Sequence, residues 1–361
     1  MNDVPLPTFL IFLVDLLAFF GIFAIIAISL NIEFGYTGIP NFGKLLAVAG
    51  GAFFVGSVSG RLLAYAYGVM NGLDYIADNL KIVGSLNQIL SANPIASLGY
   101  LIVSLIGAAF AGAVLGYIAS YPAIRLREDY LAITLLAMAE ILRTIGYNWP
   151  DLIGGTKGIP VPDPFRWVRG EFRLLAATIT ILAVLALILV YTELLIRSPL
   201  GRALRAIRDN ELSAEAYGKD VVRFRMKALM VGSAIAAIGG ALYVFWTASV
   251  TAAAFNRVTH TFWPWVMVIV GGAANNMGAL VGAGIFVTLR KLITFYKSYF
   301  APFIPFDVVW LEYLLLGLAL IIVLIYRPEG LLPEKPTKTI DFEKIRERVK
   351  APYPESSEGE G

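Results

Sequence analysis

Apolar residues run in long blocks along this chain, separated by short polar stretches. Seven blocks read as membrane-crossing helices, at about 8–30, 40–59, 95–119, 130–149, 173–195, 227–248 and 308–326. Crossing a hydrocarbon core roughly 30 Å thick takes about 20 helical residues, and each block reaches that length. None alternates polar and apolar positions over the short segments that a transmembrane β-barrel needs. Between 262 and 293 the apolar pattern is broken at its centre by GGAANNMG. Two helical halves joined by a Gly and Asn bend predict a re-entrant hairpin, with one long kinked helix as the rival reading. Irregular backbone at membrane depth survives only where protein or a water-filled cavity satisfies it. The pattern therefore predicts an all-α, polytopic helical membrane protein with broken or re-entrant helices.

Composition supports this. The chain has 361 residues, 58% of them hydrophobic and only 15% charged, against about 25% charged in soluble domains. There is no cysteine, which excludes disulfides, thiolate catalysis and cysteine-bound metal clusters. Thr8 to Leu30 is too long, and its flank too poor in Lys and Arg, for a cleaved secretory signal. It is read as a span. Residues 1–326 are expected to form one transmembrane domain, and 327–361 a cytoplasmic tail that is disordered at its tip. Residues 60–94 read as an external connection with short surface helices.

The polar interruption at 197–227 stands out. It holds eight Lys or Arg and four Asp or Glu. Basic loops stay on the cytoplasmic side, so this segment, Arg125, Arg127 and the basic tail are placed inside. The N-terminus and the loop 150–172 then fall outside, although that loop carries Lys157, Arg166 and Arg169. Ser198-Pro199 predicts a helix start, with Ser as N-cap and Pro at the first position. Gly218 predicts its stop. Arg202, Arg205 and Arg208 recur at helical spacing, and Glu211 and Glu215 share a face. Attraction to anionic lipid explains the basic residues alone. A docking surface for a cytoplasmic partner explains both signs of charge and the ordered helix.

Polar residues inside the apolar blocks are the candidates for a passage. Glu140 and Arg143 lie three apart and pair on one helical face, either locking two helices or gating a path. Charge at membrane depth costs about 2.5–3.5 kcal/mol on insertion scales. Glu33, Tyr36, Thr37, Asn41 and Lys44 surround GYTGIPNFG. Half-helix ends suited to a zwitterionic solute and plain packing by small residues both fit it. Asn275 and Asn276 form the parallel feature in the second half. Asp15 reads as a helix contact, and His260, the single histidine, as an interfacial residue. Trp246, Trp263, Trp265 and Trp310 fit interfacial belts or packing.

Four stretches together resemble one family. LNIEFGYTGIPNFGK (30–44), LREDYLAITLLAMAEILRTIGYNWPDLIGGTKGI (126–159), SPLGRALRAIRDNELSAEAYGKD (198–220) and VIVGGAANNMGALVGAGI (268–285) with YRPEGLLP (326–333) are similar to the branched-chain amino-acid ABC importer permeases of the LivM type. The resemblance implies a cell-membrane importer subunit whose cytoplasmic loop meets an ATPase. Arg205, Asp209, Glu211, Glu215, Ala216 and Gly218 then carry over as coupling residues, although the downstream Ile-x-Leu-Pro element of importer loops has no counterpart. Tyr36, Thr37, Asn41, Glu140, Asn275 and Asn276 are the expected translocation-pathway residues. The implied partners are a related second permease, two ATPase subunits, an extracellular or periplasmic binding protein, membrane lipid and Leu, Ile or Val. No nucleic acid is involved.

The chain carries no GxxxxGK[ST] phosphate loop, so no cofactor is expected on it and ATP would be hydrolysed by partner subunits. Two same-family or related alternatives stay open: a permease for urea, amides or sugars, and a gradient-driven transporter. An integral-membrane enzyme is a third class, with few catalytic side chains available to it.

Overall fold

The computed structural model describes residues 8–70, 72–126, 128–168, 170, 172–297 and 308–334. The predicted tail beyond 334, together with Arg127 and Arg169, lies outside the described residues. Helix α1 (Thr8–Leu30) continues through a π-helical turn (Asn31–Gly35). An irregular connection over 36–43 leads into α2 (Lys44–Phe54), which runs on through a second π turn (Val55–Ser59) to α3 (Gly60–Ala66). The second span thus begins at Lys44 rather than 40, because Gly38, in a left-handed conformation (φ 76°), and Pro40 hold 36–43 out of helix. Next come α4 (Asn79–Ala92), α5 (Pro94–Arg125), α6 (Glu128–Asn148) and the short α7 (Pro150–Ile153). Helix α4 supplies the surface helix expected in 60–94.

Helix α8 (Phe172–Arg197) leads to the polar segment, which folds as α9 (Pro199–Asp209) and α10 (Glu211–Ala216). The single helix predicted there is broken at Asn210, whose side chain accepts from the Ser213 amide at 2.9 Å and so caps a new start. Helix α11 (Val221–Thr247) begins earlier than expected. Asp220 caps it, accepting from the Arg223 amide at 3.0 Å, so the basic return is helical. The interrupted region forms a π turn (Val258–Phe262), α12 (Trp263–Gly271) and α13 (Asn276–Phe295). Helix α14 (Val308–Tyr326) follows.

The predicted hairpin is there. A Cβ on Gly271 would overlap the Gly278 carbonyl, and one on Gly282 would overlap the Met267 carbonyl. That pairing runs the two arms antiparallel and in backbone contact. The arms are unequal, however. The first is short (Val258–Gly271), whereas the second, at 20 residues, is itself long enough to cross a bilayer. Among the described residues, seven helices reach that length and apolarity, and α13 is one of them.

Helix α11 sits at the centre. Gly51 of α2 meets its Ala237 carbonyl, and its Gly240 meets the Val48 carbonyl of α2, with no room for a side chain at either. Small residues let helix backbones approach where lipid supplies no hydrophobic drive between helices. Helices α5, α6 and α8 carry the outer faces, with Ile102, Phe110, Ile133, Leu187 and Leu194 exposed.

The bundle has two distinct ends. At one, β1 (Ile159–Pro160) pairs antiparallel with β2 (Ser249–Val250), and the Asp163 amide donates to Asn87 of α4 at 2.9 Å. Arg173 binds Asp163 and reaches the Phe245 carbonyl. The other end holds the α8–α11 loop, the 36–43 connection, the hairpin bend and residues 327–334. The loop 150–172 therefore lies at the end opposite 197–227, although its own basic residues run against that separation.

Gly240→Ala is expected to lower the melting temperature in detergent, since overpacking costs about 1–3 kcal/mol. Gly99→Ala, where an added Cβ meets nothing within 4 Å, is expected to leave it unchanged or raise it. Equal effects would contradict the close α2–α11 contact.

Candidate functional site

The polar segment is built so that one tip protrudes. Ser198 and Pro199 start α9 as predicted. Ala203, Leu204 and Ile207 face inward, and Ala214 of α10 packs on Ile207, Val221 and Phe224. Gly218 ends α10 in a left-handed conformation (φ 74°). The Gly218 amide bonds the Glu215 carbonyl and the Lys219 amide the Ala214 carbonyl, the paired closure of a Schellman cap.

The expected coupling residues divide into two groups. Arg205 donates to the Ile196 carbonyl at 3.2 Å, Asp209 accepts from Arg208, and Glu211 takes a two-pronged bond from Arg225 at 2.9 and 2.8 Å. These three hold the segment's own shape. Glu215, Ala216 and Gly218 are exposed, beside Leu212 and Tyr217, which are 79% and 87% exposed. Two large apolar side chains and an acid at an ordered tip are a docking surface in form.

Beside this segment the structure gathers five of the six expected pathway residues. Tyr36, Thr37, Asn41, Asn275 and Asn276 are all buried. Tyr36 packs with Ile196 and Ala274. Thr37 donates to the Ile32 carbonyl at 2.9 Å. Asn275 caps α13 through the Met277 and Gly278 amides and donates to the Leu332 and Pro333 carbonyls. Asn276 accepts from Asn31 at 3.1 Å and donates to Glu193.

Asn31 was not foreseen. Fully buried, it accepts from the Ala274 amide at 2.8 Å while donating to Asn276. Ala274 is a non-glycine residue at φ 59°, a conformation of the kind that surrounding structure has to enforce. A carboxamide between the apolar Leu30 and Ile32 was the available signal. Residues 327–334 complete the junction, with the Leu331 and Leu332 amides bonding the Val270 and Gly271 carbonyls at 2.9 Å each.

Glu33 and Lys44 form an ion pair at 2.8 Å, both fully buried, and Asn41 adds a 2.8 Å bond to the same carboxylate oxygen. The pair ties the end of α1 to the start of α2. Glu140 stands apart on α6, paired with Arg143 as expected, and Arg143 also lies over the Tyr147 ring at 5.1 Å. That pair remains partly exposed on an outer helix. Asp15 binds Lys291 at 2.6 Å, which makes it the helix contact predicted for it.

His260 corrects an expectation. It is buried, not interfacial, enclosed by Phe23, Tyr243 and Phe255. Trp246, Trp263 and Trp265 are buried packing residues, whereas Trp310 is exposed. Among the described residues no cluster of His, Cys, Asp or Glu has a metal-holding arrangement.

Irregular backbone stitched inside an apolar bundle, next to an ordered tip that projects from one end, defines a class: a polytopic membrane permease. The family model for the permease component of branched-chain amino acid transport systems matches residues 12–324. A probable branched-chain amino acid transport permease protein LivM of Methanocaldococcus jannaschii is 42% identical over 332 residues, covering 91% of this chain and 95% of that one. The high-affinity branched-chain amino acid transport system permease protein LivM of Salmonella typhimurium is 26% identical over 89% of this chain and 70% of its own. A probable LivH permease of M. jannaschii is 29% identical over 52% of this chain and 61% of its own. No solved structure matches the chain. The chain belongs to the branched-chain amino-acid transport permease family.

Lys44→Met leaves the Glu33 carboxylate buried and unpaired, and is expected to cost about 3–5 kcal/mol. The double variant Glu33→Gln/Lys44→Met should melt higher than Lys44→Met alone. A double variant that is no more stable would contradict a buried, coupled pair.

Proposed function

We propose that this chain is one of two related permeases in an ATP-driven importer of branched-chain amino acids, with the α8–α11 segment on the cytoplasmic side. The observation that carries this is the exposed α10 tip. Leu212, Glu215 and Tyr217 project from a segment whose other charges are largely consumed by internal pairs. Such a tip suits a groove on a cytoplasmic ATPase. Two ATPase subunits then hydrolyse ATP, and this chain, which lacks a phosphate loop, binds no cofactor. Family membership supports Leu, Ile and Val as cargo, delivered from outside by a binding protein.

The likeness to both a LivM and a LivH protein supports a second, related permease as partner. A physical argument supports where they meet. Helix α6 carries Glu140 and Arg143 on a partly exposed outer face, whereas along the body of α8 the exposed residues Ile179, Leu187 and Val190 are apolar and its charged pair, Glu193 and Arg197, lies at its end beside the polar segment. Charges at membrane depth face protein or water rather than lipid. The α6 face therefore turns toward the partner permease and a low-affinity path between the two. The buried hydrogen bonds of Tyr36, Thr37, Asn41, Asn275 and Asn276 describe a closed arrangement of the neighbouring helices, which transport would have to loosen.

Co-expression with candidate ATPases tests the reading. The intact chain should retain an ATPase on purification. Glu215→Arg with Tyr217→Ala should abolish that retention while membrane insertion persists. Vesicles holding the full complex should take up leucine, isoleucine and valine, but not urea, and only with ATP. Undiminished ATPase retention in the double variant would contradict the docking assignment, and uptake by this chain alone would contradict the importer reading.

A further inference from the structure

The α8–α11 segment is joined to the bundle by more than its two ends. In the last turn of α9, Arg208 reaches across to elements far away in sequence. Its Nη1 donates to the Gly35 carbonyl at 2.7 Å. Its Nη2 meets Glu334 at 2.9 Å, and Nε and Nη2 bond Asp209 at 3.0 and 2.9 Å. Its aliphatic stem lies against Gly38, where the Arg208 Cγ would stand 3.2 Å from an added Cβ. The guanidinium is half-buried, with a side-chain exposure of 23%.

These bonds close a ring. Gly35 ends the π turn that carries Asn31, and Asn31 holds Ala274 and Asn276 at the hairpin bend. Asn275, beside them, holds the carbonyls of Leu332 and Pro333, and the next residue, Glu334, returns to Arg208. A Cβ on Gly35 would overlap the Ala274 amide, so the π turn and the hairpin bend touch directly. We propose that Arg208 is the positioning residue that carries displacement of α9 and α10 to the α1–α2 turn and the hairpin bend, with 327–334 as the other half of the clasp. The proposal rests on the importer reading above and deepens it.

The side-chain chemistry narrows the choice. Guanidinium presents five donors in a fixed planar fork, which holds a carbonyl and two carboxylates at once. A lysine ammonium keeps the charge but not that geometry. The last carbonyls of a helix lack intrahelical partners, so the Gly35 oxygen is a free handle at the end of α1. Through α8 and α11 alone, motion of the segment would tilt two helices. Through Arg208 it also moves α1, α2 and both hairpin arms, which contain the two irregular breaks in the bundle.

The chain has no cysteine, which makes a direct test available. An ideal Cβ at Gly38 lies 3.7 Å from the Arg208 Cβ, within the span of about 3.5–4.5 Å that disulfides adopt. The experiment uses the whole importer in vesicles and reads leucine taken up per ATP hydrolysed. Arg208→Ala and Arg208→Lys are expected to lower that ratio by about fivefold or more, the scale of an ordinary coupling energy, with the ATPases still bound. Gly38 has a left-handed backbone (φ 76°) that any side chain strains, so Gly38→Cys alone sets the reference: Gly38→Cys/Arg208→Cys should fall below it when reduced and recover to its level when oxidised. An unchanged ratio in Arg208→Ala, or a cross-link that forms without recovery, overturns the proposal. Should Arg208→Ala fail to assemble, Glu334→Ala removes one arm of the clasp and is expected to lower the ratio by a smaller factor; no change there also overturns it. If the wild-type complex shows no ATP-dependent uptake, the importer reading fails instead.

Discussion

An apolar bundle in lipid has no water to offer an unpaired backbone group, so every break in its helices must find partners within the protein. The structure meets this constraint with a handful of carboxamides. Asn31 satisfies the Ala274 amide, Asn275 caps α13, and Asn41 supports the carboxylate that holds Lys44. The break at 36–43 is satisfied mostly by local bonds, with Trp265 of α12 donating to the Asn41 carbonyl, and Asn31 just before it holds Ala274, so the two breaks lie together. Residues 327–334 then pair with the unwound end of α12, so a segment that follows α14 becomes part of the bundle's interior bonding.

This arrangement gives the two ends of the molecule different characters. At one, the 150–172 loop, α4 and the short β1–β2 pairing form a cover held by backbone bonds and the Asp163–Arg173 pair. At the other, charged side chains bridge separate elements: Arg225 to Glu211, Arg208 to Glu334, and Glu33 to Lys44. Contacts of the second kind depend on fork geometry and on burial, so displacement of one member is felt by its partners. On the proposed reading, the end with such contacts is the one that receives force from a docked subunit.

The apolar blocks made the fold class legible because their length alone sets a membrane span. The breaks were legible from Gly38, Pro40 and the GGAANN run, residues that interrupt helices for local reasons. The start of α11 at Val221 was hidden because charges at 223, 225 and 227 looked like loop, whereas Asp220 caps a helix that carries them. The break at Asn210 was missed for the same kind of reason, a cap read as mid-helix. What sequence pattern could not supply is which helix faces which. Arg208 and Gly35 are 173 residues apart, and Asn31 and Ala274 are 243. His260 was misread because its aromatic neighbours come from separate stretches that only the folded bundle brings together.

Sidedness tests the account most directly, since everything assigned to the α9–α10 tip requires it to face the cytosol. In the cysteine-free chain, Ser213→Cys and Lys157→Cys place single thiols at exposed positions at opposite ends. A membrane-impermeant maleimide should label Lys157→Cys in intact cells and Ser213→Cys only in inverted vesicles. Labelling of Ser213→Cys from outside intact cells, or of both positions from the same side, would contradict it.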